Sequence, residues 1–268
     1  MKIALICSAA VLFIAAEAHA QMIVDPSKPL TGKPEETEVY APQAPLPKVV
    51  KAGKSFDAPP SDAIILFDGK NLDEWVSTRG KTPAKWAVSD GMFTVNKPSG
   101  DIETKRTFTN YQLHIEFRIP ENITGEGQSR GNSGIFLAAT NGKAGGYEIQ
   151  VLDGYNNENK TYVNGMVGSI YKEGIPLANP ARKAGEWNVY DIVWTAPTFN
   201  ADGTVKTKAR VTAFLNGVLV QNNFEVQGET NYIGKHDYIK HGPSPIKLQA
   251  HGDKSEPISF RNIWLREL

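Results

Sequence analysis

Thiols are nearly missing from this chain: Cys7 is the one cysteine in 268 residues. No intramolecular disulfide can form, and a multi-thiolate metal site cannot be built. An excess of charge of either sign is missing too, because 29 basic residues face 29 acidic ones. No basic stripe interleaved with aromatics stands out, so nucleic acid is not expected as a partner. Beyond the first twenty residues no apolar run is long enough to cross a bilayer, so the mature chain is expected to carry no transmembrane segment. Sustained helical periodicity is also absent, which points away from helical bundles and α/β folds.

What is present begins with an address. Lys2 supplies a positive start, 3–16 form a short apolar core, and Ala18-His19-Ala20 is an A-x-A cleavage signal, so a leader of residues 1–20 is expected to be removed on export. Cys7 follows Ile6 rather than a small residue, which argues against a lipoprotein cleavage there. Residues 21–60 carry Pro26, Pro29, Pro34, Pro42, Pro45, Pro47, Pro59 and Pro60 without an apolar period and read as an extended segment. Residues 61–268 show no linker-like break, and a stretch of about two hundred residues suffices for one sizeable core.

Within that stretch short apolar or alternating runs recur at 64–67, 86–88, 92–95, 111–119, 134–138, 147–152, 187–194, 209–215, 218–224, 246–250 and 258–267. They are separated by Gly, Asn, Asp and Pro, and such spacing predicts an all-β antiparallel sandwich. Asn216-Gly217 is the strongest hairpin signal, with Asp90-Gly91 and Asp68-Gly69 weaker ones. Trp75 and Trp86 are expected to cover the core near the start of the domain.

The chemistry concentrates between 127 and 153. Strand alternation puts Ile149 and Val151 on one face and Glu148 and Gln150 on the other. Upstream, Arg130 and Asn132 stand among glycines just before an apolar run. Lys247, Gln249 and His251 share a face if 246–252 is extended, and His114, Glu116 and Arg118 alternate with apolar residues in the same way. Each has a plainer reading. Glu148 can be a solvated strand residue, Arg130 a surface ion-pair partner, and His251 a structural imidazole. Asp153 can cap the turn at Gly154 or serve as a second carboxylate or metal ligand. Tyr147 and Tyr171 suit sugar contact or core packing equally, and Glu116 faces either a site or solvent. No cofactor is demanded, and a divalent cation such as calcium, held by Glu, Asp and carbonyl oxygens, stays open.

Several blocks in order carry a resemblance. Ile65-Leu66-Phe67-Asp68-Gly69-Lys70-Asn71-Leu72 with Trp75, Trp86-Ala87-Val88 with Asp90-Gly91, Ser133-Gly134-Ile135-Phe136, the 147–153 strand and Phe260-Arg261-Asn262-Ile263-Trp264-Leu265 resemble the 3-keto-disaccharide hydrolase family, formerly a domain of unknown function. The resemblance runs from about residue 61 to the end. It implies a concanavalin A-like jelly roll, a bacterial periplasmic or secreted protein, and cleavage of glycosides whose sugar bears a ketone at C3. This chain departs from the pattern in an insert at 195–208 and in the 156–180 loop, which put the identity of the sugar in doubt.

A C3 ketone acidifies the hydrogen on C2, so a base can remove it, an enolate forms, and the C1 substituent leaves before water adds. Such chemistry needs a base, a partner for the oxyanion, and an acid. Glu148, Arg130 and His251 are the first choices for these roles, with Glu116 a reserve base. Asn132, Tyr147, Gln150, Asp153, Tyr171, Lys247, Gln249 and Glu116 are the candidate substrate contacts. Two other readings compete: a non-catalytic carbohydrate-binding module, and an ordinary glycosidase. The latter needs two carboxylates, and Gln150 stands where a second acid at i+2 would be.

Overall fold

The computed structural model describes residues 46–157 and 160–268, together with Pro29 and Gly32. The expected leader and most of the proline-rich stretch lie outside the described residues. The chain divides into units 1–49 and 50–268, and the second is described here. Its strands are β1 (Ile64–Phe67), β2 (Trp75–Ser77), β3 (Ala87–Ser89), β4 (Met92–Thr94), β5 (Ile102–Thr104), β6 (Tyr111–Arg118), β7 (Ser133–Phe136), β8 (Glu148–Val151), β9 (Trp187–Thr195), β10 (Thr198–Phe199), β11 (Val205–Thr207), β12 (Arg210–Leu215), β13 (Val218–Glu225), β14 (Lys247–Leu248) and β15 (Ser259–Glu267).

An eight-stranded sheet runs β13-β12-β9-β6-β15-β4-β3 with β1 added on β15, and a five-stranded sheet runs β2-β5-β14-β7-β8. Every pairing within them is antiparallel. The 195–208 insert supplies the small β10-β11 pair. This is the antiparallel jelly-roll sandwich that the strand spacing and the resemblance imply.

Alternation explains the packing. Tyr111, Leu113, Ile115 and Phe117 of β6 and Tyr190, Ile192 and Trp194 of β9 meet Ile135, Ile149, Val151 and Leu248 from the smaller sheet in one buried cluster. Each such side chain contributes roughly 1.5–3 kcal/mol by leaving water. Two phenols tie the layers together: Tyr111 Oη donates to the Leu137 carbonyl at 2.5 Å, and Tyr190 Oη donates to the Gln150 carbonyl at 2.7 Å. Trp75 and Trp86 are both core residues. Their indole N–H groups donate to the Leu66 and Gly100 carbonyls at 2.8 and 2.9 Å, which satisfies the one polar atom of each ring.

The Asn216-Gly217 hairpin has positive φ at both residues, 52° and 78°, and so does Asp90-Gly91, at 51° and 73°. Of Asp68-Gly69 only the glycine is positive, so that turn is of another kind. The strands β2 and β5 were not expected from the pattern; three residues are too short to show a period. In β15 the alternation breaks. Arg261 pairs with Glu116 and Trp264 with His114, leaving two residues opposite Ile115. Asn262, at φ 44°, takes up the extra position as a bulge. The bulge lets Phe260, Ile263 and Leu265 all point into the core.

The bulge also organises the outer face of the large sheet. Asn262 Nδ2 donates to Glu116 Oε1 at 2.8 Å and to the Asp57 carbonyl at 2.9 Å, and Arg261 Nε donates to Glu116 Oε2 at 2.6 Å. His114 stacks on Trp264 with ring centroids 5.0 Å apart, and its Nδ1 lies 2.8 Å from Asp191 Oδ1. Burial pulls the His114 imidazole down, but the hydrogen bonds to Asp191 and Glu116 outweigh it and hold the pKa up at about 9, from 6.5. Burial works against Glu116 as well, yet its bonds with His114, Asn262 and Arg261 bring it down to about 2, from 4.5. The His114 contribution to stability is therefore complete below about pH 6.5 and lost as pH rises through about 9; that of Glu116 is complete above about 4.5 and lost as pH falls through about 2. Thermal unfolding of wild type and His114→Gln should show a difference that shrinks between about pH 6.5 and 9, and a constant difference would rule out a charged His114.

Candidate functional site

With Ile149 and Val151 turned into the core, Glu148 and Gln150 must face the other side of the five-stranded sheet. There they line a cavity of about 710 Å³ together with Phe136, Gln249 and His251 from the same sheet region. The 156–180 loop contributes Tyr162 and Tyr171 to its wall, and the segment around Thr230 to Ile233 completes it. The size suits a mono- or disaccharide within the usual range for small-molecule sites.

Glu148 is 5% exposed. Its backbone is held on both sides: the N–H donates to Thr230 Oγ1 at 3.0 Å, and the carbonyl accepts from the Tyr171 N–H at 3.0 Å. Its carboxyl lies across Gly134, where any Cβ would overlap it. Among the described residues no hydrogen-bond donor reaches that carboxyl. Burial therefore pushes it up to about 8, with the Lys247 ammonium drawing it down and Asp101 raising it. Burial moves Lys247 the other way, downward, against the pull of Asp101, Glu148 and Glu229. The Lys247 Nζ rests 3.5 Å from the centroid of the Phe136 ring.

An amide chain forms the polar floor. Gln150 Nε2 donates to Gln128 Oε1 at 3.0 Å, and Asn132 Nδ2 donates to the Gln128 carbonyl at 2.7 Å. The Oε1 atoms of Gln150 and Gln249 are buried and have no partner. A buried acceptor left unpaired costs about 1–3 kcal/mol, and both belong to residues that line the cavity. His251 is fixed at Nδ1, 2.8 Å from Asp253 Oδ2. Asp253 in turn accepts from Lys97 Nζ at 2.9 Å and from Ser255. Burial raises the Asp253 carboxyl, but the bonds to Ser255, Lys97 and His251 together bring it below its usual value.

Of the residues expected at the site, Glu148, His251, Asn132, Gln150, Tyr171 and Gln249 share the cavity. Lys247 is not among the lining residues; its ammonium lies over the Phe136 ring and acts on Glu148 through space. Arg130 does not line it. Its Nε donates to Asp153 Oδ2 at 2.6 Å and its Nη1 to the Ile123 carbonyl at 3.0 Å, so the glycine-rich turn carries it into a structural ion pair. Asp153 is spent in that pair and in capping the turn, accepting the Tyr155 N–H at 3.2 Å. Tyr147, one residue before Glu148, alternates to the opposite face and packs against Trp194 with centroids 5.3 Å apart. Glu116 lies on β6, in the other sheet, within the ion network of its outer face. Among the described residues no three His, Cys, Asp or Glu side chains are gathered where they could hold a metal ion.

Gln128, Lys143, Tyr162, Thr230 and Tyr232 also line the cavity and were not anticipated. They stand in loops without strand alternation, which left no periodic signal to find them. The 156–180 departure does reach the site through Tyr162 and Tyr171, whereas the 195–208 insert supplies none of the residues lining it.

An antiparallel sandwich whose smaller sheet floors a sugar-sized, amide-rich cavity around one buried carboxyl defines the class. The chain belongs to the 3-keto-alpha-glucoside-1,2-lyase-like domain family, whose model matches residues 62–266. A protein from Parabacteroides distasonis, provisionally assigned as a glycosyl hydrolase, is 56% identical over 88% of this chain and 97% of its own, with a TM-score of 0.80. Two further such assignments from the same organism share 23% and 24% identity over 77% of this chain and 94% and 99% of theirs, with TM-scores of 0.57 and 0.54. These last two speak for the fold alone. Comparison with curated proteins gave no match.

The space over Gly134 makes a test. Gly134→Ala forces the Glu148 carboxyl out of its slot toward the open cavity, and its pKa should fall from about 8 toward the ordinary 4.5. Carboxyl titration followed by infrared or NMR spectroscopy reads this directly, and an unchanged value would show that the slot does not set it.

Proposed function

We propose that the protein is an exported enzyme that cleaves glycosides carrying a ketone at C3, by elimination across C1–C2 followed by hydration. The observation that carries this reading is Glu148: a buried carboxyl that no donor among the described residues reaches, with a pKa of about 8, lining a sugar-sized cavity beside Gln150 and Gln249. The reading is supported by the family membership and by the nature of the acids present. Glu148 is the one carboxylate among the described residues lining the cavity. Hydrolysis by an ordinary glycosidase needs two carboxylates about 5–9.5 Å apart. Elimination needs a single base, because the ketone already makes the C2 hydrogen acidic.

In the proposed step Glu148 takes the proton from C2, and the electrons of that C–H bond move to the C3 oxygen as an enolate. The enolate collapses, a C1=C2 double bond forms, and the C1–O bond breaks with its electron pair leaving on oxygen. Water then adds to the product. His251, anchored through Asp253, takes the oxyanion role at the C3 oxygen in place of Arg130. The side chains of Gln150 and Gln249, which line the cavity, contact the sugar and fix its register. The Lys247 ammonium draws the Glu148 carboxyl toward its ionised form.

The base must be ionised before it can act. At pH 7 a group with a pKa of about 8 is ionised to about a tenth, so kcat/KM should climb nearly tenfold per unit below about pH 8 and level off above it. Glu148→Gln should lose roughly 10²–10⁴-fold in turnover with binding little changed. Parallel incubation with a 3-keto disaccharide and its unoxidised parent is the decisive measurement. Cleavage of the ketone alone is expected, and equal cleavage of both would exclude elimination. Binding of both without any product would favour a carbohydrate-binding module instead.

A further inference from the structure

Elimination needs a second proton transfer: the departing oxygen must be protonated at a pH where Glu148 has already lost its own proton. We propose that Tyr162 is the general acid of this cavity, giving its phenolic proton to the leaving-group oxygen, with Tyr171 and Lys172 positioning it and stabilising its phenolate. The inference rests on the elimination reading above.

Tyr162 is held from three directions. Its ring lies across Gly165, where a Cβ would overlap the ring edge. The Lys172 ammonium stands 3.5 Å from the ring centroid, and Tyr171 Oη is 2.6 Å from Tyr162 Oη. Lys172 adopts the left-handed conformation, φ 65°, which a non-glycine residue keeps only when its surroundings impose it. Here Asn164 imposes it: its carbonyl accepts the Lys172 N–H at 2.8 Å, and its Nδ2 donates to the Lys172 carbonyl at 3.0 Å. The strained residue thus delivers a cation closest to the Tyr162 ring, with the Tyr232 ring farther off at 5.0 Å.

That arrangement favours proton loss from Tyr162 in particular. An ammonium over the ring is attracted more strongly once the ring bears negative charge, and the Tyr171 hydroxyl can donate to the new phenolate oxygen. Both phenols also line the same cavity as Glu148, and the Glu148 carboxylate acts on both through space. Burial holds both above the ordinary phenol value, so they stay protonated over the range in which Glu148 ionises. As the C1–O electron pair passes to the leaving oxygen, that oxygen takes the Tyr162 proton. Glu148 then releases the C2 proton to solvent and the phenolate recovers one, so a single proton has moved from C2 to the alcohol.

Leaving-group dependence separates an acid from a structural tyrosine. 4-Nitrophenolate departs with little help, whereas an alkoxide from methanol or a second sugar needs protonation. Tyr162→Phe should lose about 10²–10⁴-fold in kcat/KM on the methyl and disaccharide 3-keto substrates and less than tenfold on the 4-nitrophenyl 3-keto glucoside. Tyr171→Phe and Lys172→Met should show the same pattern at about tenfold, and they keep the question answerable if Tyr162→Phe fails to fold. Equal losses on both kinds of substrate, or no loss on the poor leaving groups, would overturn the assignment. A wild-type enzyme that cleaves neither 3-keto substrate would overturn the elimination reading itself, and the acid role with it.

Discussion

Both faces of β8 are covered, and the site follows from that. On one face Ile149 and Val151 close the core. On the other Glu148 and Gln150 lie under loops, so all four residues of the strand are buried. A polar strand face exposed to water would leave an ordinary carboxylate. Covering it without supplying a hydrogen-bond donor leaves a carboxyl whose two protonation states are close in energy near neutral pH. The packing of β8 is thus what gives Glu148 its chemistry.

The contrast with Glu116 makes the point within one molecule. Both are glutamates on strands, each alternating with core residues, and both are almost fully buried. Glu116 receives Arg261, Asn262 and His114 and is held down to about 2, while Glu148 receives none of these and rises to about 8. The larger sheet pairs its outer polar groups and so ties Asp57, β6, β9 and β15 together. The smaller sheet leaves Gln150 and Gln249 acceptors unpaired. Unpaired buried acceptors cost stability, and both belong to residues that line the cavity.

Glycines shape the same region by what they lack. Gly134 leaves the slot for the Glu148 carboxyl, and Gly165 leaves the bed for the Tyr162 ring. In each case a side chain from elsewhere fills the volume that a Cβ would have taken. The left-handed Lys172 is the complementary device, a strained backbone held by Asn164 that aims a charge at the cavity wall.

Much of the fold was legible in the sequence, because alternation over strands such as 111–118, 187–195 and 210–215 and the Asn216-Gly217 turn are local signals. The strand-rich domain and the polar face of Glu148 and Gln150 follow from the chain alone, since period 2 decides which residues share a face. Alternation cannot tell which sheet a strand joins or what lies on its outer side. Glu116 and Glu148 look alike in sequence, yet one belongs to the large sheet's ion network and the other to the cavity. Arg130 likewise looked like a ligand contact until the turn at Asp153 folded beside it. Tyr162 and Gln128 sit in loops, where position depends on hydrogen bonds between residues far apart in the chain. The bulge at Asn262, which turns Ile263 and Leu265 back into the core, is imposed by pairing with β6 across 145 residues of sequence. Local periodicity determined the elements and their faces; long-range pairing and burial decided which polar groups were paired and which were not.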